Sequence, residues 1–321
     1  VRPLFDIFFV SDGKWYPAAS PRKRPYTAKY LTLWGIHLVG KQKIMIESGF
    51  RLWIPAKMPE TTPTIYLPPS LSGFQPRHIV FSTWIDHLPF GYDLMAALRP
   101  QTVVELGTFS GLSFFCFCQA AEELELQTHC HAVDTWEGDD HTGVYGEDIY
   151  RLVKAHQQAL YPDSTTLLRM RFDQALPQFE NGSLDMIHLD GLHTRDAVSE
   201  DFRQWYAKLK PGGIFLFHDV TARLPGFGVW QFWESLCEAH QGRSFTFYQG
   251  FGLGVLRKPG DEVPGAQGQD GQLLRLLFSE EPGSAARLRR FYAHAASHHQ
   301  LLRRRVTRQR VSSRRRRESR T

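Results

Sequence analysis

The chain has 321 residues, 42% apolar and 13% aromatic, enough for one sizeable α/β core with smaller additions. No stretch approaches the roughly 18 to 20 uninterrupted apolar residues of a membrane span, and the start lacks the order of a signal peptide, so a cytoplasmic protein with no membrane partner is expected. The formal charge of +5 conceals two regions: Ser284 to Thr321 carries thirteen arginines and one glutamate, a net of +12, which leaves −7 on the remainder. A basic whole-chain balance therefore says nothing about what the acidic body binds.

Residues 1 to 77 are rich in proline, aromatics and basic residues. Short β-like pieces, Lys43 to Ile46 and Arg51 to Ile54, lie between turn signals, and Ser11-Asp12-Gly13-Lys14 fits a hairpin turn. This stretch reads as a β-rich extension that ends in a proline-rich linker from Pro59 to Pro69.

From 78 to 258 apolar strands alternate with amphipathic helices, the pattern of a parallel α/β sheet. Thr102 to Leu106 is the first strand, followed by a helix from about Ser110 to Glu125. His131 to Asp134 ends the second, Thr165 to Leu168 fits the third, and Leu184 to Leu189 is the fourth, running into Asp190-Gly191. A helix from about Thr194 to Leu209 stops at Lys210-Pro211-Gly212-Gly213, and the fifth strand, Ile214 to Phe217, delivers His218-Asp219. After a helix near Val229 to His240, the pieces Ser244 to Tyr248 and Leu253 to Leu256 read as an antiparallel hairpin closing the sheet. The expected fold is thus α/β and Rossmann-like, with seven mostly parallel strands. Residues 259 to 321 read as a linker, a helix from about Ala285 to Arg305 and a disordered Arg-rich tail. The four cysteines show no C-x-x-C spacing and read as reduced thiols.

The strongest chemical signal is Val103-Val104-Glu105-Leu106-Gly107-Thr108-Phe109-Ser110-Gly111 at the first strand-to-helix turn. Glycines at 107 and 111 let backbone pass close to a ligand, and the helix that follows supplies free amide donors. Asp134, at the end of the second strand, suits the paired hydroxyls of a ribose. A dinucleotide fingerprint needs G-x-G-x-x-G, whereas this turn is G-x-x-x-G with an acid two residues earlier, which favours S-adenosylmethionine (SAM) over NAD.

Glu105-x-Gly107-x-x-x-Gly111, Asp134, Asp190 and the Gly212-Gly213 turn together resemble the class I SAM-dependent methyltransferases. More narrowly, the runs Asp134-Thr135-Trp136-Glu137-Gly138-Asp139-Asp140-His141, His188 to Thr194 and Phe217-His218-Asp219 resemble the bacterial macrocin O-methyltransferase and cephalosporin-hydroxylase-like group, a methyltransferase 24-type family. The likeness covers about His78 to Lys258. It implies SAM held by Glu105, Gly107, Thr108, Phe109, Ser110, Gly111, Asp134, Thr135, Phe172, Asp173 and Asp190. Glu105, Gly107 and Gly111 would take the methionine side, Asp134 the ribose and Phe172-Asp173 the adenine.

The resemblance also implies methyl transfer to a hydroxyl of a sugar, glycan or secondary metabolite, which needs in-line positioning and a base. Metal-assisted relatives hold Mg²⁺ with a carboxylate after strand four and two adjacent polar side chains after strand five; here those places fall to Asp190, His218 and Asp219. Imidazole is a poor ligand for Mg²⁺, so either a softer ion such as Mn²⁺ binds or the cluster is a polar network without metal. His193 stands where a relative places its catalytic lysine and is the candidate base, with Asp190 beside it. Trp136 to Tyr150, carrying Asp139, Asp140, His141 and Tyr145, is a candidate lid or acceptor loop, and His141 is its candidate catalytic residue.

Expected partners are a small-molecule or glycan acceptor, a homo-oligomer and, since such domains also occur fused to glycosyltransferases, a linked glycosyltransferase. A nucleic-acid substrate is disfavoured: the tail would attract phosphates, but Asp190-Gly191-Leu192-His193 is not the Pro-Pro-aromatic loop of many base N-methylating enzymes. An NAD(P)-dependent oxidoreductase and a non-catalytic interaction protein are the remaining alternatives.

Overall fold

The computed structural model describes residues 67–139, 141, 143–260 and 271–297, together with the backbone of short strands before residue 55. Asp140, the linker at 261–270 and the Arg-rich tail from 298 onward lie outside the described residues. The chain divides into two compact units, Val1–Leu67 and Pro68–Thr321. In the first, Phe8–Ser11 pairs with Lys14–Pro17 around the expected hairpin, Lys29–Leu31 pairs with Leu52–Ile54, and His37–Leu38 pairs with Ile44–Met45.

The second unit is built on a seven-stranded sheet. Its strands are β1 (Thr102–Leu106), β2 (His129–Asp134), β3 (Thr165–Arg169), β4 (Leu184–Leu189), β5 (Leu209–His218), β6 (Ser244–Phe247) and β7 (Leu253–Arg257). Their spatial order is β3-β2-β1-β4-β5-β7-β6, parallel except where β7 runs antiparallel to β5 and β6. The order reverses between β1 and β4, so the connections leaving those strands diverge and open a crevice at their carboxyl ends.

The helices are α1 (Leu88–Leu98), α2 (Leu112–Glu123), α3 (Glu147–Leu160), α4 (Phe172–Ala175), α5 (Arg195–Trp205), α6 (Val229–Ala239) and α7 (Gln272–Leu277). Val104, Leu106, Ile187, Leu189, Phe215 and Phe217 alternate onto one sheet face and pack with Trp205 of α5 and Trp233 of α6 in one core. On the other face, Phe117 of α2 meets Trp84 and His188 edge-on. No helix among the described residues is long and apolar enough to cross a membrane. The cysteines are unbonded, with Cys116, Cys118 and Cys130 buried.

Three boundaries differ from the sequence reading. The helix expected to reach Leu209 ends at Trp205, and Lys210 to Gly213 belongs to β5, where the register against β4 shifts between Leu184 and Met186. Gly212 takes up the shift at φ 78°. The second unit begins at Pro68, before the expected residue 78, because Ser70 donates from both its backbone N–H (2.6 Å) and its hydroxyl (2.8 Å) to the buried Asp93 of α1. At the other end, α7 packs on α1, and the helical stretch 284–297 buries Leu288, Tyr292 and Ala296, with the Tyr292 hydroxyl donating to the same Asp93 at 3.0 Å. That stretch is part of the unit, not an appendage to it.

Candidate functional site

The turn after β1 is shaped by backbone crowding. Gly107 sits at φ 90°, and a Cβ there would lie 2.1 Å from the Asp190 carbonyl oxygen. Its N–H donates to Val133 O at 2.9 Å, and Asp190 N–H donates to Leu106 O at 2.8 Å, so the turns leaving β1, β2 and β4 interlock. Asp134 closes the arrangement: its carboxylate accepts the Phe109 and Trp136 amides, each at 2.7 Å. Burial raises the Asp134 pKa, against the pull of those amides. Thr108 Oγ1 is buried with no hydrogen-bond partner, and the Gly111 backbone, at φ 80°, lies where a Cβ would strike the Phe115 ring. An orphaned hydroxyl beside a turn that excludes side chains fits a ligand approaching the backbone closely, as SAM would.

The other expected cofactor residues are spread more widely. Ser110 O is 2.7 Å from His78 Nε2, Thr135 O accepts from Arg169 at 3.3 Å, and the Phe172 ring packs where a Cβ on Gly191 would stand. Asp173 is exposed and paired with Arg171 at 2.6 Å. Glu105, expected on the methionine side, has one carboxylate oxygen engaged within the sheet and the other, Oε1, buried without a hydrogen-bond partner. It is the register partner of His188 across β1 and β4, it is fully buried on the α2 face, and its Oε2 lies 2.7 Å from His188 Nδ1, whose Nε2 accepts from Trp84 at 3.1 Å. Burial raises the Glu105 pKa and the His188 contact opposes the rise. Strand parity sends residue 105 to the face opposite Val104 and Leu106, so this carboxylate braces the sheet behind the cofactor turn.

At the ends of β4 and β5, Asp190, His193, His218 and Asp219 form a closed quartet. His193 Nε2 lies 2.9 Å from Asp219 Oδ2 and 3.6 Å from Asp190 Oδ1; His218 Nδ1 lies 3.3 Å from each of the two carboxylates. Burial works against every charge here, and the mutual pairing overrides it. His193 is raised to about 10, His218 is raised well above the usual histidine value, and both aspartates are held below the usual carboxylate value. Each imidazole thus faces carboxylates that favour its protonated form.

This geometry constrains two expected roles. His218 cannot ligate a metal while Nδ1 faces the carboxylates and Nε2 donates to Gly250 O at 3.0 Å, since both nitrogens are occupied. The facing carboxylates raise His193 to about 10, which favours the proton-donating imidazolium over the neutral base. The donor set that can hold an ion is Asp190, His193 and Asp219, whose ligand atoms all lie within 4.8 Å of one another. One imidazole with two carboxylates suits a borderline divalent ion better than Mg²⁺.

His141 reaches the quartet from the two-residue hairpin Gly138–Asp139 and Gly143–Val144. Its ring lies 5.6 Å from His193 and 4.9 Å from Phe227, while Tyr145 of the same segment packs edge-on against Phe109 at 4.8 Å. The Nδ1 atoms of His141 and His193 are buried without hydrogen-bond partners. Non-glycine residues with left-handed backbone gather at the same edge: Phe109, Trp136, Asp219 and Phe251 follow β1, β2, β5 and β6. Strain of this kind concentrates where structure serves a ligand. Phe227 was not singled out from the sequence; its only local signal is the pair of glycines that flank it.

Comparison with known proteins follows the same region. Residues 104–220 match the family model described as a methyltransferase domain. A curated protein of Sinorhizobium fredii (strain NBRC 101917 / NGR234), described as uncharacterized protein y4gI, is 48% identical over 172 residues, which cover 54% of this chain and 19% of the relative. The chain thus spans about a fifth of the length of the curated relative it matches. Among solved structures, the O-methyltransferase TomG from Streptomyces achromogenes in complex with SAM aligns at 15% identity, covering 58% of this chain and 83% of that one, with a TM-score of 0.42. The SAH-bound methyltransferase PaMTH1 of Podospora anserina aligns at 16% identity over 55% of this chain and 78% of that one, with a TM-score of 0.41.

Proposed function

We propose that this chain, whose residues 104–220 match the family model of a methyltransferase domain, is a SAM-dependent O-methyltransferase acting on a hydroxyl of a sugar, glycan or secondary metabolite. The observation that carries the reading is the contact between its two halves. The Gly107 turn lies so close to Asp190 that a side chain there would clash with its backbone, which supports a ligand on that turn reaching the quartet. SAM supplies the electrophilic methyl on a sulfonium, and the chain's own residues must align the acceptor oxygen and take its proton.

Asp190 is the most exposed member of the quartet, with 22% of its side chain accessible against 10% for His193 and 6% for Asp219. It is the carboxylate placed to accept the acceptor O–H, and His193 lies beside it as a fixed cation where negative charge develops. A carboxylate is a weak base beside a hydroxyl of ordinary acidity, so proton transfer would accompany methyl transfer rather than precede it. Asp190, His193 and Asp219 would hold a divalent ion once His193 Nε2 gives up its proton, and such an ion supplies Lewis-acid polarisation of the acceptor oxygen.

The test is incubation of a metabolite or glycan extract with methyl-labelled SAM and mass spectrometry of the products, with and without chelator. Label on an oxygen is the expected result. Loss of turnover on chelation, restored better by Mn²⁺ than by Mg²⁺, identifies the ion-assisted form. Label appearing only on nitrogen, or none despite SAM binding, contradicts the proposal.

A further inference from the structure

Phe227, in the connection from β5 to α6, meets His193 face to face, with ring centroids 4.5 Å apart and planes 2° from parallel. The same ring lies 4.9 Å from His141 at 28°. It can reach both rings, which lie 5.6 Å from each other, because its neighbours carry no side chain. A Cβ on Gly226 would stand 2.9 Å from His141 Nε2, and one on Gly228 would stand 2.5 Å from Arg195 N. Gly228 N–H also donates to His193 O at 2.7 Å. The connection after β5 therefore grips both the backbone and the ring of a residue that follows β4.

The hydrogen bond from His193 Nε2 to Asp219 fixes one ring atom, at 2.9 Å, and leaves rotation of the ring about that contact. The second torsion of a histidine side chain is broad and sets no plane by itself. A flat face held parallel against the ring supplies the missing constraint. We propose that Phe227 is a positioning residue: it sets the plane of the His193 imidazole so that Nε2 stays directed at the Asp190 and Asp219 carboxylates. Gly226-Phe227-Gly228 acts as one device, the aromatic ring doing the holding and the glycines admitting it. Phe227 works through His193. The consequence for catalysis rests on the methyltransferase reading; the orientation of the ring does not.

The test uses the full chain with ¹⁵N-labelled histidine, without metal or acceptor. An imidazole N–H resonance is assigned to His193 by its absence in His193→Gln, then followed in Phe227→Tyr, which keeps the flat face, and in Phe227→Leu, which keeps apolar bulk without one. Binding of S-adenosylhomocysteine is measured calorimetrically on each protein. The expected result is a protected signal in the parent and in Phe227→Tyr, exchange with water about tenfold faster or more in Phe227→Leu, and S-adenosylhomocysteine affinity in both Phe227 variants equal to the parent's. Equal protection in Phe227→Leu overturns the proposal. Loss of S-adenosylhomocysteine binding in Phe227→Leu also overturns it, because the ring would then support the whole domain. A parent chain that fails to bind S-adenosylhomocysteine but shows the expected resonance pattern removes the methyltransferase reading and leaves the positioning role standing.

Discussion

The carboxyl edge of the sheet is built in two different ways. At the ends of β1 and β2 the turn is held by backbone amides: Asp134 accepts two, Gly107 gives one to Val133, and the critical feature is the absence of a Cβ. At the ends of β4 and β5 the site is held by charge, with two imidazoles and two carboxylates neutralising one another. A steric site fails all at once when bulk is added, whereas an electrostatic one responds to the loss of each charge and to titration. Removing a charge at Asp219 should leave the Gly107 turn intact, whereas bulk at Gly107 meets the Asp190 backbone and reaches both edges.

The largest effect is expected at the steric edge. Gly107→Val sets side-chain atoms against the Asp190 backbone and should abolish SAM binding in calorimetry; retained affinity would mean the cofactor does not use this turn. Next is Asp219→Asn, which keeps a residue tolerant of the left-handed backbone at φ 60° while removing the charge shared by His193 and His218. Stranding buried cations in this way costs about 3 to 5 kcal/mol, so denaturant unfolding should show a loss of that order. A loss near zero would show that the quartet is not charged as described.

Titration gives a third, graded effect. His193 is raised from 6.5 to about 10, so its contribution to stability is complete below pH 6.5 and disappears as pH rises through about 10. Unfolding free energy should therefore fall over that interval in the parent, and fall less in Asp219→Asn. A flat profile in the parent would contradict the pairing.

The smallest effect lies away from the edge, at Asp93. Tyr292→Phe removes one hydrogen bond to that buried carboxyl and should cost about 1 kcal/mol. Truncation after Glu280 should cost much more than the point change, since burial of a side chain such as Leu288 is worth about 1.5 to 3 kcal/mol. Unchanged stability on truncation would place the 284–297 helix outside the folded unit.

What the sequence disclosed follows from how local each feature is. The Gly107 turn, Asp134 and the strand-helix alternation each occupy one short segment, and their spacing carries the geometry. The partner of Glu105 could not be read so, because His188 meets it only through the β1-to-β4 register, 83 residues apart in sequence. His193 and His218 were separable into ion ligand and counter-charge only once their nitrogens had distances to the two carboxylates. Within the helix expected from about Ala285, Leu288, Tyr292 and Ala296 repeat at helical spacing, but only the structure shows that this face is buried in the unit.

The most direct test of the central claim is calorimetric titration of the full chain with SAM and with NAD, run side by side on the parent and on Gly107→Val. The account predicts a saturable SAM isotherm for the parent, none for Gly107→Val, and no comparable heat from NAD with either. Binding of NAD without SAM, or SAM binding that survives Gly107→Val, would contradict it.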